Sequence, residues 1–195
     1  MSSPAVEVSN FVASRLYSLA SSNNEAAVRA TLARMRRGVG RAPGEMPELW
    51  EVLFAGAPEK LAGKEDYPSR GEWAAYTALT LFGLHQQGKD IKQKSMHKTG
   101  EGLGLAVRKL IKNLEDEQRI KRRFDIAATS DTPDEFAHHV RGLIQLLRAA
   151  DIPLDYAQLA QDLYRFQFSD GRDRVRLTWG RDFYRSQQPS KTQEA

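Results

Sequence analysis

The apolar residues of this chain recur at the spacing of α-helices along nearly its whole length. The first stripe follows an i, i+3, i+4, i+8, i+11 pattern and comprises Val8, Phe11, Val12, Leu16 and Leu19. No segment shows the sustained alternation of apolar and polar residues, or the turn signals, that indicate paired β-strands. The pattern therefore predicts an all-α fold, a compact multi-helix bundle.

Capping signals divide this pattern into separate helices. Ser69 with Glu72, and Thr132 with Glu135, have the spacing of capping boxes, in which side chains satisfy the free amide groups at a helix start. Either Asn23 or Asn24 can cap a second helix that ends at Gly38. The other predicted elements are helical stripes over 103–114 and 120–127, a helix starting at Pro153, a turn at 169–171 and a last helix over 172–185.

A basic loop from Gly88 to Gly100 separates two helical halves and places a candidate seam near residue 95. The bundle is then either one unit or two small helical subdomains, an N-terminal part over 1–95 and a C-terminal part over 96–186. The polar residues 187–195 are expected to form a disordered tail. The chain shows no internal repeat.

The composition is that of an ordinary globular protein. Of 195 residues, 41% are hydrophobic and 28% are charged, which argues against a disordered chain. No apolar run reaches the roughly 18 residues that a membrane-spanning helix needs, and the N-terminus lacks the pattern of a secretory signal. Cysteine is absent, which excludes disulfides and thiolate metal sites. We expect a soluble, cytoplasmic protein with no membrane partner.

Charge is segregated along the chain, although the net charge is only +4. Residues 29–41 contain five arginines and no acid, and further basic blocks lie at 89–98, 108–123 and 172–185, whereas 45–72 and 131–162 are acidic. Separate basic blocks favour a polyanionic partner, and acidic blocks favour docking of basic neighbours. The alternative interpretation is that all these blocks are solvated helix faces.

Two predicted helices oppose an apolar stripe to an arginine stripe. In the last helix, Arg174, Arg181 and Arg185 lie opposite the stripe that contains Trp179. In the second helix, Arg29 and Arg36 lie opposite its apolar stripe in the same way. Because guanidinium groups bind phosphate through two parallel hydrogen bonds and stay charged, such rows suit a nucleic-acid backbone.

No catalytic or metal site is evident. Glu135 and His138 form one Glu-x-x-His, but a di-iron site needs two such motifs. The glycines at 100, 102 and 104 lack the lysine and hydroxyl of a phosphate loop. His85 is interpreted as a packing histidine, and Trp73 and Trp179 as buried core residues. We therefore expect no enzyme activity, no metal and no cofactor.

Five stretches of the sequence, taken in order, form a specific pattern. They are ATLARMRRGVGRAPGEMPELW at 30–50, WAAYTALTLFGLHQQG at 73–88, GEGLGLAVRKL at 100–110, RIKRRFDIAATSDTPDEFAHHVRGLIQLLRAADIPLDYAQLAQDLYRF at 119–166 and VRLTWGRDFYR at 175–185. In this order they resemble the small-subunit family of type I-E CRISPR Cascade, the CasB family. The resemblance covers about residues 8–185, and the colinearity of the stretches makes it specific.

The resemblance implies a non-catalytic helical subunit, present as two copies beside other Cascade subunits. Its partners would be the hybrid of CRISPR RNA with target DNA and the displaced DNA strand, whose contacts stabilise the R-loop. By motif position, the implied binding residues are Arg29, Arg34, Arg36, Arg37, Arg41, Arg119, Arg122 and Arg123; the stripe of the last helix adds Arg174 and Arg181.

Three hypotheses of different classes follow from the sequence. The first is a subunit that binds nucleic acid without reading its sequence. The second is a protein–protein scaffold whose arginine stripes dock on acidic neighbours. The third is a small helical hydrolase or metal enzyme, which the missing site residues disfavour. Salt dependence of single-stranded DNA binding separates the first two, and a metal assay tests the third.

Overall fold

The computed structural model describes residues 3–64 and 66–185, which form nine α-helices, three short 3-10 helices and no β-strand. The predicted all-α fold is confirmed. The 3-10 helices are Pro43–Glu45, Pro47–Leu49 and Glu59–Leu61. The α-helices are α1 (Pro4–Ser21), α2 (Glu25–Arg37), α3 (Trp50–Phe54), α4 (Arg70–His85), α5 (Leu103–Arg108), α6 (Leu114–Thr129), α7 (Pro133–Ala149), α8 (Tyr156–Phe166) and α9 (Ser169–Arg185).

The predicted capping residues lie at the starts of the helices for which they were predicted. Asn24, not Asn23, caps α2. Ser69 and Glu72 form the complete capping box at the start of α4, because each side chain accepts a hydrogen bond from the other residue's backbone amide. At α7, the Thr132 hydroxyl accepts from the amide of Glu135, but the Glu135 carboxylate accepts from the residue before Thr132.

Three predicted boundaries are wrong. The helix predicted over 103–114 ends at Arg108. A new helix begins after Asn113, because the Asn113 side chain accepts a hydrogen bond from the backbone amide of Asp116. Leu114, predicted to lie on the apolar stripe, is 82% exposed. Helix α8 begins at Tyr156 and not at Pro153, because Asp155 is its cap.

The third boundary is the start of the last helix. Ser169 to Gly171, predicted as a turn, forms the first turn of α9. A Cβ atom at Gly171 would overlap the backbone carbonyl of Arg165. The missing side chain therefore lets α9 start directly after α8, with only residues 167–168 between them.

Helix α4 lies at the centre of the bundle. It packs against α1, α2, α7 and α8, while α9 packs against α5 and α8, and α6 packs against α7. At the C-terminal end, the Phe136 ring stacks on Phe166 at 3.7 Å and on Trp179 at 5.1 Å between ring centroids. Trp179 is fully buried, as predicted, but Trp73 is only partly covered because one side of it borders a groove.

The halves on either side of residue 95 share one apolar core. Helices α1 and α4, which precede that position, both pack against α8, which follows it. The division into parts over 1–95 and 96–186 stays a prediction. The tail predicted for 187–195 lies outside the described residues. No helix in the described ranges is long and apolar enough to cross a membrane.

Candidate nucleic-acid interface

Helix α2 lies close to α4 because α4 carries a glycine at the contact. A Cβ atom at Gly83 would lie 2.5 Å from the Cβ of Met35 and 3.0 Å from the carbonyl oxygen of Leu32. Without that atom, Met35 is fully buried. The contact fixes the rotation of α2, so that Arg29 and Arg36, about 20° apart around the helix axis, share one exposed face.

The basic loop, residues 88–100, is held at the C-terminal end of α4 by a buried glutamine. The Gln86 amide nitrogen donates to the carbonyl oxygens of Lys94 at 2.9 Å and Lys89 at 3.2 Å. Its amide oxygen accepts from the backbone amide of Met96 at 2.8 Å. These three hydrogen bonds give the basic loop a defined path and hold it beside α2.

Pairing distinguishes the lysines of the basic loop from one another. The ammonium groups of Lys89 and Lys94 lie 3.2 and 2.6 Å from the carboxylate oxygens of Asp151. Lys89 is also mostly buried, with 12% of its side chain exposed. Lys92 is exposed and makes no ion pair with a described residue. Lys92 is therefore the cation of this part of the loop that is free to meet a ligand.

Helix α2 and residues 86–92 enclose a groove of about 360 Å³, the α2 groove. It unites two basic blocks that are some 50 residues apart in the sequence. Glu25 lies 3.5 Å from Arg29, but both side chains are exposed, so water screens the pair. The charged lining comprises Arg29, Arg36, Lys89 and Lys92 with Glu25 and Asp90.

The other arginines of the 29–41 run lie outside the α2 groove. Arg34 donates to the carbonyl oxygen of Glu48 and to the hydroxyl of Thr31, both at 3.4 Å, so its guanidinium is engaged within the protein. Arg37 lies 3.6 Å from the Glu48 carboxylate. Arg41 follows α2, is exposed, and makes no ion pair with a described residue.

The predicted residues of α6 are all exposed. Arg119 forms a 2.7 Å ion pair with Asp116, one turn earlier in the same helix. Arg122 and Arg123 make no ion pair with a described residue. Two of the three guanidinium groups are therefore available to an anionic ligand.

Helix α9 has the two faces that its sequence predicts. Trp179 and Phe183 are buried, while Arg174 and Arg181 are exposed. Arg174 lies 3.8 Å from Asp170. The side chain of Arg185 is not among those described.

The structure groups the ten predicted arginines into separate surfaces. Arg29 and Arg36 of α2 combine with the basic loop, whereas Arg34 and Arg37 lie against Glu48. Helices α6 and α9 adjoin each other, because Phe124 stacks on Phe183 at 4.7 Å and Arg176 donates to the carbonyls of Ala128 and Ser130. Among the described residues, no hydrogen bond or ion pair joins α2 to α6 or α9.

The buried histidine of α4 is not placed for acid–base chemistry. His85 has no exposed surface, and its Nδ1 lies 2.9 Å from the hydroxyl of Tyr156. Burial, aided by the charge of Lys89, lowers the pKa of His85 to about 4, so the ring is neutral at pH 7. This agrees with the predicted packing role. In the described ranges, no three His, Asp or Glu side chains are grouped as a metal site.

Sequence reasoning did not single out Lys92 as a binding residue. The lysine block at 89–98 was visible as charge, but nothing in its composition shows which helix the loop borders. That placement depends on the approach of α2 to Gly83 and on the hydrogen bonds of Gln86. The one sequence signal that could have indicated an ordered loop is the glutamine at the end of the core helix, Gln86, which the sequence analysis did not use.

Comparisons with known proteins agree with this architecture. The family model of the CRISPR-associated protein Cse2 matches residues 31–184. The crystal structure of CasB from Thermobifida fusca is similar with a TM-score of 0.71 and 35% identity, covering 92% of this chain and 97% of that one. No curated protein sequence matches this chain significantly.

A second solved structure, CasB from Thermus thermophilus, has a TM-score of 0.65 and 23% identity over 91% of this chain and 97% of that one, which shows the shared fold. The family model spans most of the chain, and the Thermobifida fusca structure adds a relative above 30% identity over nearly its full length. The chain therefore belongs to the Cse2, or CasB, family of small subunits of type I-E CRISPR Cascade.

Proposed function

We propose that this subunit binds nucleic-acid backbone within the Cascade complex and stabilises the R-loop by contacts to the target and displaced DNA strands. The observation that carries the proposal is the α2 groove, where Arg29 and Arg36 of one basic block face Lys92 of another. Cations from distant parts of the sequence meet on one side of a fixed helix, which suits a continuous polyanion better than a single ion.

The contacts are expected to be independent of base sequence. Guanidinium and ammonium groups in an open groove hold phosphates, which carry no sequence information. R-loop formation exchanges a DNA duplex for a hybrid of similar stability, so contacts to backbone can decide the balance. A few such contacts are enough for this role, and none of them needs a catalytic group.

The subunit is proposed to be non-catalytic, with other Cascade subunits and a second copy of itself as protein partners. The matching family is described as the CRISPR-associated protein Cse2, and the similar solved structure as CasB. Purified protein incubated with labelled single-stranded DNA and RNA should leave both intact. Cleavage that copurifies with the protein and disappears on substitution of His85 would contradict this part of the proposal.

The test neutralises the three groove cations together, Arg29→Gln, Arg36→Gln and Lys92→Gln. Each lost contact to a single strand lowers the slope of log K against log salt by about 0.7, so the triple variant should lose about 2 from that slope. Fluorescence anisotropy with a labelled mixed-sequence oligonucleotide, repeated over a salt series, measures it.

A matched control removes three positive charges elsewhere. Lys60, Lys98 and Lys109 are paired with Glu7 or Glu101 and lie outside the α2 groove. Their triple glutamine variant has the same net charge as the groove variant and should keep a slope close to that of the native protein. Equal losses in both variants would show a non-specific charge effect.

Incorporation into the complex separates this function from the scaffold hypothesis. The groove variant should still assemble with the other subunits but hold an R-loop less well. Failure to assemble, with the salt slope unchanged, would favour a scaffold whose arginines dock on protein.

A further inference from the structure

A second groove, of about 640 Å³, lies between the segment after α2, helix α4 and the start of α7. One wall carries Arg41 and another carries Arg141 and His138, while Trp73 and Tyr76 of α4 line the space between them. We name this space the Trp73 groove. Its volume falls within the range of ligand pockets, roughly 300–1,000 Å³.

The wall that carries Arg41 is fixed to α4. The Tyr76 hydroxyl donates to the carbonyl oxygen of Gly38 at 3.0 Å, and that oxygen also accepts from the backbone amide of Arg41 at the same distance. Burial raises the pKa of Tyr76 to about 12, so its hydroxyl keeps the proton that it donates. The approach to the groove at Arg41 is therefore formed before any ligand binds.

The polar groups of the Trp73 groove have spare binding capacity. Within the described residues, neither Arg41 nor Arg141 makes an ion pair, and the indole N–H of Trp73 donates no hydrogen bond. A terminal nitrogen of Arg141 lies 3.7 Å from the position a Cβ of Gly40 would take, so this guanidinium reaches the opposite wall. One acid, Asp134, also lines the groove.

We propose that the Trp73 groove binds one unpaired nucleotide of a single strand, with its base against the Trp73 ring and its phosphates on Arg41 and Arg141. An indole face supports base stacking, and the flanking guanidinium groups match the phosphates on either side. Asp134 can accept a hydrogen bond from an exocyclic amine of the base. The groove would thus hold the nucleotide by its base and by the phosphates on either side of it.

This proposal rests on the proposed function, because the nucleic-acid strand that occupies the α2 groove would supply the nucleotide. Arg41 belongs to the same basic run as Arg29 and Arg36 and follows the end of α2 directly. That continuity favours a nucleotide over an acidic peptide. The arginines of the groove could bind either ligand, but the flat indole ring of Trp73 suits a nucleobase and has no counterpart in an acidic peptide.

The test compares two probes of equal length, a mixed-sequence DNA single strand and the same backbone made of abasic sites. Trp73→Leu should weaken binding of the base-containing strand about tenfold and of the abasic strand by less than about twofold. Trp73→Phe keeps a stacking ring and should recover most of the affinity. Tyr17→Leu, which removes an exposed aromatic ring outside the groove, should change neither affinity.

Arg41→Gln and Arg141→Gln should weaken binding of both probes equally, since these arginines contact phosphate.

Equal loss of affinity for both probes in Trp73→Leu, or no loss for either, overturns the nucleotide pocket. If that happens while the α2-groove variant still loses its salt slope, only the pocket is wrong. If the native protein binds neither probe, both proposals are wrong. A polyglutamate peptide bound by the native protein, and lost in Trp73→Leu with strand binding intact, would reassign the groove to a protein.

Discussion

A single buried carboxyl group should make the stability of this protein depend on pH. Asp162 of α8 is 3% exposed, and its carboxylate accepts a 2.8 Å hydrogen bond from the indole N–H of Trp179. Burial raises the pKa of Asp162 from 3.8 to about 7, and the charges of Asp182 and Asp155 act in the same direction. The Trp179 hydrogen bond and Arg165 lower the pKa but do not outweigh burial.

The sign and size of the effect follow from linkage. Because the pKa is higher in the folded state, that state binds the proton more tightly than the unfolded chain does. The resulting stability is fully present below pH 3.8 and is lost as the pH rises through 7. One pKa unit corresponds to 1.36 kcal/mol, so a rise of about three units amounts to about 4 kcal/mol.

His85 produces the opposite trend in an overlapping range. Its pKa is lowered to about 4, so the unfolded chain takes up a proton first and stability falls as the pH drops from 6.5 to 4. Between pH 4 and 6.5 the contributions of His85 and Asp162 therefore oppose each other. The native protein alone would show a weak dependence there, which is why the experiment must compare variants.

Asp162→Asn removes the titration and keeps an oxygen that accepts from Trp179. Urea denaturation of both proteins between pH 4 and 8 gives the difference in unfolding free energy, in which the contributions of other groups cancel. We expect this difference to change by about 4 kcal/mol in favour of the variant as the pH rises. His85→Gln should give a difference curve of opposite slope. An Asp162→Asn curve that stays flat would refute the argument from burial.

Two further variants test the packing on which the grooves depend. Gly83→Ala should destabilise the protein by roughly 1–3 kcal/mol in urea denaturation, because the new Cβ meets the backbone of α2. Gly142→Ala is its control: no neighbouring atom lies within 4 Å of the added Cβ, so it should stabilise α7 by up to about 1 kcal/mol. Trp179→Ala should cost about 3–5 kcal/mol, with the control Trp50→Ala far less harmful; a small loss at Trp179 would contradict its place in the aromatic stack.

The helices were predictable because their signals are local. A stripe of period 3.6 and a capping side chain depend only on neighbouring residues, and so α1, α4 and α7 were placed correctly. The start of α8 was not predicted correctly, because a residue just before this helix makes backbone hydrogen bonds to a segment far away in the sequence. Leu154 exchanges backbone hydrogen bonds with Met96 and Lys98, which keeps Pro153 out of the helix.

The arginine face of α2 was predictable for the same local reason. That the basic loop lies beside this face was not predictable. Angular spacing shows that Arg29 and Arg36 share a face, and charge shows that residues 89–98 are basic. The close contact at Gly83 and the hydrogen bonds of Gln86 bring the two together in the fold. Arg34 shows the opposite limit of sequence reasoning. Its place in the basic run predicts a free guanidinium group, but in the fold that group donates hydrogen bonds to Glu48 and Thr31.

The position of Arg41 links the two grooves into one path. Arg29 and Arg36 are seven residues apart, or about 10 Å along the axis of α2, and Arg41 lies just beyond the end of that helix. In the proposed mode of binding, a nucleic-acid strand that follows the exposed face of α2 toward its C-terminus would next meet Arg41 at the wall of the Trp73 groove. Under the two proposals, contacts in one groove would raise the local concentration of nucleotide at the other, so the two sites would strengthen each other through the strand itself without a conformational change in the protein.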